Sequence, residues 1–119
     1  MEHFKNGDRY QGEYLMGKFH GKGRYYWSND SVYEGEFKNG MRNGYGIWRS
    51  QNNLGDIYEG TYENDMKNGH GVYRWANGSI YDGNFSNDKK HGKGIITDEN
   101  GKAFNYEWEN DNIIRKCIN

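Results

Sequence analysis

The sequence predicts an all-β protein made of tandem β-hairpins, and three observations lead there. A unit of about 23 residues recurs four times, and each copy opens with aromatic-x-Gly-x-aromatic. That i, i+2, i+4 spacing puts both rings and the glycine on one face of a pleated strand. Asn-Gly, the strongest short signal for a two-residue hairpin turn, occurs six times.

Residues 1–9 read as the second half of a repeat, because Phe4, Asn6 and Gly7 fall in the register of Trp75, Asn77 and Gly78. The full repeats span 10–32, 33–57, 58–80 and 81–103. They open on Tyr10-x-Gly12-x-Tyr14, Tyr33-x-Gly35-x-Phe37, Tyr58-x-Gly60-x-Tyr62 and Tyr81-x-Gly83-x-Phe85. Seven positions after the first ring stands Gly17, Gly40, Asp65 or Asp88, which marks a mid-repeat turn. A Gly-x-Gly pair follows in each copy (Gly21 and Gly23, Gly44 and Gly46, Gly69 and Gly71, Gly92 and Gly94), then Tyr25, Trp48, Tyr73 or Ile96. The second repeat carries two extra residues near Ser50–Gly55, read either as a recognition loop or as drift. Residues 104–119 form a degenerate repeat or cap: Phe104, Tyr106 and Trp108 keep the alternation, but Tyr106 replaces the glycine. Altered end repeats suit capping, and they equally suit a piece of a longer array.

Glycine weakens a strand, so glycines at fixed offsets need a cause. The expected cause is steric: a missing Cβ lets a ring from a neighbouring strand lie flat across the backbone. Only 17 of 119 residues are Leu, Ile, Val or Phe, whereas 20 are aromatic and 11 of those are Tyr. An aliphatic layered core is therefore excluded, and disorder is opposed by the rings and the near-zero net charge.

Lys and Arg number 16 against 17 Asp and Glu, so binding of nucleic acid by bulk charge is excluded. The opening residues lack the basic-then-apolar run of a signal peptide. Cys117 is the lone cysteine, which forbids an intrachain disulfide and points to a reducing, cytoplasmic setting, with cytoskeletal or membrane association also expected.

Tyr10-Gln-Gly12-Glu-Tyr14-Leu-Met-Gly17-Lys-Phe-His20-Gly21-Lys-Gly23 resembles the MORN (membrane occupation and recognition nexus) repeat almost position by position. The resemblance covers residues 10–103 in four tandem copies. Asn43 and Asn68 depart from the pattern at the position of His20 and His91, and Asp65 and Asp88 replace a glycine. The resemblance implies an elongated, single-layer, twisted antiparallel sheet with a groove along one face. It also implies a non-catalytic binding role with a contested link to membranes.

His20 and His91 recur at repeat spacing with Asn as the alternative, which fits a turn-bracing hydrogen bond better than a metal or acid–base site. No cofactor is expected. Glu13, Glu34, Glu36, Glu59, Asp82 and Glu107 line the other face, where Lys22, Arg24, Arg49, Arg74 and Lys93 are expected to pair with them across strands. No nucleophile stands beside a base, and Gly-x-Gly precedes no helix, so an enzyme is not expected.

With no second layer, Trp27, Phe37, Trp48, Tyr62, Trp75 and Phe85 are expected to leave an accessible aromatic strip. Such a strip would dock a peptide or helix, and this is the leading functional reading. Two alternatives stay open. Lys18, Arg42, Lys67, Lys89 and Lys90 would line one turn edge and touch an anionic, phosphoinositide-bearing membrane surface. The terminal segment from Phe104 to Ile118 would pair with its own copy as a homodimer.

Overall fold

The computed structural model describes residues 1–117; the last two residues of the expected 104–119 segment, Ile118 included, lie outside the described residues. All strands among the described residues belong to one antiparallel sheet in which spatial order equals chain order. A half-repeat strand, β1 (Glu2–His3), leads into five hairpins. These are β2 (Arg9–Leu15) with β3 (Lys18–Tyr26), and β4 (Val32–Lys38) with β5 (Met41–Arg49). Then come β6 (Ile57–Glu63) with β7 (Met66–Arg74), β8 (Ile80–Ser86) with β9 (Lys89–Thr97), and β10 (Ala103–Glu109) with β11 (Asn112–Lys116). The molecule measures 49 × 27 × 18 Å. Ten strand spacings of about 4.8 Å account for its length, so the ribbon is one layer with no sheet above it.

Each hairpin closes through two residues that both have positive φ, the geometry of a type I′ turn. Asn39 and Gly40 have φ 53° and 81°, and Asn64 and Asp65 have 49° and 70°. Asn and Asp tolerate this region best after glycine, which explains why aspartate can stand where the first two repeats have Gly17 and Gly40.

The two glycines of each Gly-x-Gly pair serve different ends. In the second hairpin, Gly35 pairs with Gly46, and Phe37 pairs with Arg42. Three residues of β5 therefore face one of β4, a bulge at which Gly44 takes φ 101°. The carboxylate opposite, Glu36, reaches into the bulge and accepts the Tyr45 N–H at 2.7 Å. A Cβ on Gly44 would lie 2.7 Å from that carboxylate. Glu13 does the same for the Lys22 N–H at 2.6 Å.

The second glycine lies beneath a tyrosine. Tyr10, Tyr33, Tyr58 and Tyr81 are 0% exposed. Each ring lies along its own strand and over the paired glycines, and its hydroxyl donates to the carbonyl three residues on: Tyr33 to Glu36 at 2.9 Å, Tyr58 to Thr61 at 2.9 Å. A Cβ on Gly46 would come within 2.3 Å of the Tyr33 hydroxyl oxygen. The glycines form a continuous row, Gly12 to Gly23 to Gly35 to Gly46 and on to Gly94, which ends where Tyr106 pairs with Gly94.

In the second, third and fourth repeats the second ring of the opening motif stands edge-on between two tyrosines of successive repeats. Phe37 meets Tyr10 at 5.3 Å and Tyr33 at 5.1 Å, with interplanar angles of 89° and 85°. Tyr62 bridges Tyr33 and Tyr58, Phe85 bridges Tyr58 and Tyr81, and Trp108 takes the final place against Tyr81 at 5.7 Å. This chain of rings is the core.

A second bracket joins repeats at the other end of the strands. Buried Asp8 accepts from the Tyr25 hydroxyl at 2.6 Å and the Ser28 N–H at 2.9 Å. Asp56 holds Tyr73 and Ala76 in the same way. Where Trp48 and Ile96 replace the tyrosine, Ser31 and Ser79 replace the aspartate. The Tyr25 hydroxyl holds the Asp8 carboxyl below its ordinary range. Burial, then Asp8, pushes Tyr25 up to about 12. The longer turn that closes the second repeat winds through Gln51, Asn52 and Asn53, all at positive φ. Its Asn52 N–H donates to the Asp30 carbonyl of the preceding turn at 3.1 Å.

The altered last repeat still closes as a hairpin. With a side chain in the glycine row, the Phe104 ring stacks beside Tyr106 at 5.8 Å and 8°.

Gly46→Ala should destabilise the fold by about 1–3 kcal/mol, because the new methyl drives into a packed ring. Tyr33→Phe should cost about 1 kcal/mol for the lost hydroxyl bond. Urea denaturation of both variants measures that order, and a neutral Gly46→Ala would refute the packing. Burial raises the core tyrosines, Tyr62 and Tyr81 to about 12 from the ordinary 10. Folding therefore favours their neutral form, a contribution complete below about pH 10 and lost as pH rises through about 12. Circular dichroism followed with phenolate absorbance should show ionisation and unfolding together in that window.

Candidate functional site

The aromatic face divides into covered and open rings. Phe37, Tyr62 and Phe85 are 5%, 5% and 6% exposed, because the edge-on position between tyrosines encloses them. Of the six rings expected to line a groove, these three belong to the core. Trp27, Trp48 and Trp75 are half-buried and pack against that core from the side of the inter-repeat turns. Trp27 touches Tyr25 at 4.9 Å, Trp75 touches Tyr73 at 4.9 Å, and Trp48 approaches Tyr73 at 6.4 Å. Phe4, Phe19, Tyr25 and Tyr73 are also half-buried in this strip. Sequence reasoning passed over them, although Tyr25 and Tyr73 alternate with Trp27 and Trp75 on the same strand face.

The cations expected along one turn edge do not form a single row. Lys18 and Lys89 are exposed just after their turns. Arg42, Lys67 and Lys90 stand one residue further on, and strand alternation turns them onto the aromatic face. Their side chains are 23%, 21% and 20% exposed. Arg42 lies over Tyr62 at 4.8 Å and Trp27 at 5.6 Å. Lys67 lies over Tyr58 at 5.7 Å, and Lys90 over Trp108 at 5.1 Å.

Each of the three is matched by the turn aspartate of the next repeat. Asp65 Oδ1 accepts from the Arg42 N–H at 2.8 Å and from Nε at 3.0 Å. Asp88 and Asp111 hold the Lys67 and Lys90 N–H groups at 2.7 and 2.8 Å, with ammonium contacts at 3.3 and 3.4 Å. The aspartates that look like departures from the repeat are thus the anionic half of an inter-repeat clamp. In the first repeat Phe19 replaces the cation, and Gly40 replaces the aspartate and donates its N–H to the Phe19 carbonyl at 3.0 Å.

The opposite face differs from the expected ladder of cross-strand ion pairs. Arg24 and Glu34 pair at 2.9 Å. Glu13 and Glu36 instead fill bulges, Glu59 accepts from the Tyr45 hydroxyl, and Asp82 meets His70 at 2.7 Å. Glu107 lies 3.6 Å from Arg115. The bulges explain the difference, because they shift partners and recruit carboxylates to backbone N–H groups. The bracing role expected of His20 and His91 falls to the asparagines at the same position: Asn43 accepts from the Asn64 N–H at 3.2 Å, and Asn68 donates to Glu63 at 3.1 Å.

An open ribbon of stacked hairpins with one aromatic face, joined repeat to repeat, defines a solenoid-like repeat protein. The MORN repeat matches residues 10–32, 33–54, 58–80 and 81–103, and the chain belongs to the MORN-repeat family. MORN repeat-containing protein 3 of Xenopus laevis is 47% identical over 49 residues, a stretch that covers 40% of this chain and 21% of that protein. Alsin of Rattus norvegicus is 46% identical over 43 residues, 36% of this chain and 3% of alsin. The chain thus spans only a small part of the length of the relatives it matches.

Asp88→Asn keeps a residue suited to positive φ and removes the charge facing Lys67. It should lower stability by about 0.5–1 kcal/mol, since the pair is half-exposed. The loss should shrink in high salt, and chemical denaturation at two ionic strengths checks both expectations.

Proposed function

We propose that this chain is a non-catalytic scaffold that docks a peptide or helix of a protein partner along its aromatic face. The observation that carries the reading is the half-covered strip of Trp27, Trp48 and Trp75 on a rigid sheet with no second layer. Indole rings supply large contact area at small conformational cost, and they dominate protein–protein hot spots. Arg42, Lys67 and Lys90 are each bound to an aspartate of the next repeat, so their charge is spent within the fold. That leaves Lys18 and Lys89 of the basic set for an anionic lipid surface, which favours a protein partner over a membrane.

Immobilised protein should capture a partner from cell extract, and Trp48→Ala with Trp75→Ala should reduce capture at least about tenfold, as expected for loss of hot-spot rings. Capture unchanged by the double substitution would remove the aromatic strip as the docking surface.

A further inference from the structure

The face opposite the aromatic strip carries a row in which two arginines stand without counter-ions. Strand pairing sets Val32, Arg49, Ile57, Arg74 and Ile80 side by side from β4 to β8, so each arginine has an aliphatic neighbour on both sides. Tyr26 extends the row to β3 and Thr97 to β9, and no carboxylate interrupts it. Val32, Arg49, Ile57 and Ile80 are half-buried, Arg74 is exposed, and no second layer covers them. Arg49 and Arg74 do not make the cross-strand ion pairs expected of them: among the described residues, no carboxylate pairs with either. The carboxylates of the adjoining row are engaged elsewhere. Glu34 holds Arg24 at 2.9 Å, Glu59 accepts from the Tyr45 hydroxyl, and Asp82 meets His70 at 2.7 Å. On the aromatic face, by contrast, Arg42, Lys67 and Lys90 are each tied to an aspartate.

We propose that this row docks an amphipathic helix of a protein partner, with glutamates seated on Arg49 and Arg74 and apolar side chains on Val32, Ile57 and Ile80. Charge complementarity selects the acidic residues. A guanidinium presents a planar fork that a carboxylate meets with two hydrogen bonds, and aliphatic neighbours on both sides keep water from the pair and strengthen it. Spacing selects the helix. Adjacent positions of the row are about 4.8 Å apart, which puts the two arginines about 9.6 Å apart. One face of an α-helix offers a side chain every three or four residues, about 5 Å, and returns to the same line after seven residues, about 10.5 Å. An extended strand offers a side chain to one face about every 7 Å, which fits neither interval. A helix lying across the strands thus meets all five positions in the order apolar, acid, apolar, acid, apolar. This surface faces away from Trp27, Trp48 and Trp75, so it stands apart from docking on the aromatic face.

The test uses a blocked helical peptide of about 20 residues, with leucines and glutamates in that order on one face and the glutamates one heptad apart. Two further peptides carry glutamine or lysine in place of the glutamates. The glutamate peptide should bind saturably and shift the backbone amide resonances of Val32, Ile57 and Ile80. It should leave the indole N–H resonances of Trp27, Trp48 and Trp75 in place. Glutamine should weaken binding by about tenfold or more, and lysine should abolish it. Arg49→Glu with Arg74→Glu should reverse the order, so that the lysine peptide binds and the glutamate peptide does not. No binding of the glutamate peptide, equal binding of the three, shifts at the indoles in place of the row, or an order unchanged by the double variant would each overturn the inference. If the double variant does not fold, the three peptides on the unaltered protein decide alone. The capture experiment with Trp48→Ala and Trp75→Ala reads the other face, so the two readings fall separately.

Discussion

The structure depends on a tyrosine ring lying flat over two facing glycines. That contact removes a bulky side chain from water without a second layer, and it turns a strand that glycine would weaken into the floor of a packed site. The hydroxyl bond to the carbonyl three residues on fixes the ring's direction along the strand. A fixed direction leaves each ring edge available to the next repeat, where Phe37, Tyr62, Phe85 or Trp108 takes it. Packing within a hairpin and packing between hairpins are therefore the same interaction seen from its two sides.

Electrostatics follows the same economy. An ordinary surface would leave Arg42, Lys67 and Lys90 in water, where exposed pairs contribute little. Here each cation is shielded by rings on one side and fixed by an aspartate on the other, so a net charge of -1 conceals strongly ordered local charge. The exchange of cation and aspartate for Phe19 and Gly40 shows that both halves of the clamp change together.

Much of the fold was legible in the sequence, because the steric reasons for its pattern are local. Tyr-x-Gly-x-aromatic alternation set the strands, and positive-φ residues at Gly40 or Asp65 set the turns. The split between the two glycines of Gly-x-Gly was not legible, since both are glycine whether the cause is a bulge at Gly44 or a ring over Gly46. The bulge also explains why Glu36 turns away from Lys22, which stands opposite it on β3: the carboxylate is drawn instead to the Tyr45 N–H in the bulge of β5. At the candidate site, the sequence singled out Trp27, Trp48 and Trp75. It could not separate them from Phe37, Tyr62 and Phe85, because half of the enclosure at those positions comes from a tyrosine of the preceding repeat, Tyr10, Tyr33 or Tyr58. Arg42, Lys67 and Lys90 were assigned to an edge because a one-residue offset from Lys18 and Lys89 decides which face a strand residue takes.

The 23-residue unit advances the ribbon by two strands, about 10 Å, and every unit offers the same ring edge to whatever follows. Such a body behaves as a ruler with fixed graduations. Gaining or losing a copy would alter the reach between the ends by one division and leave each remaining joint as it was.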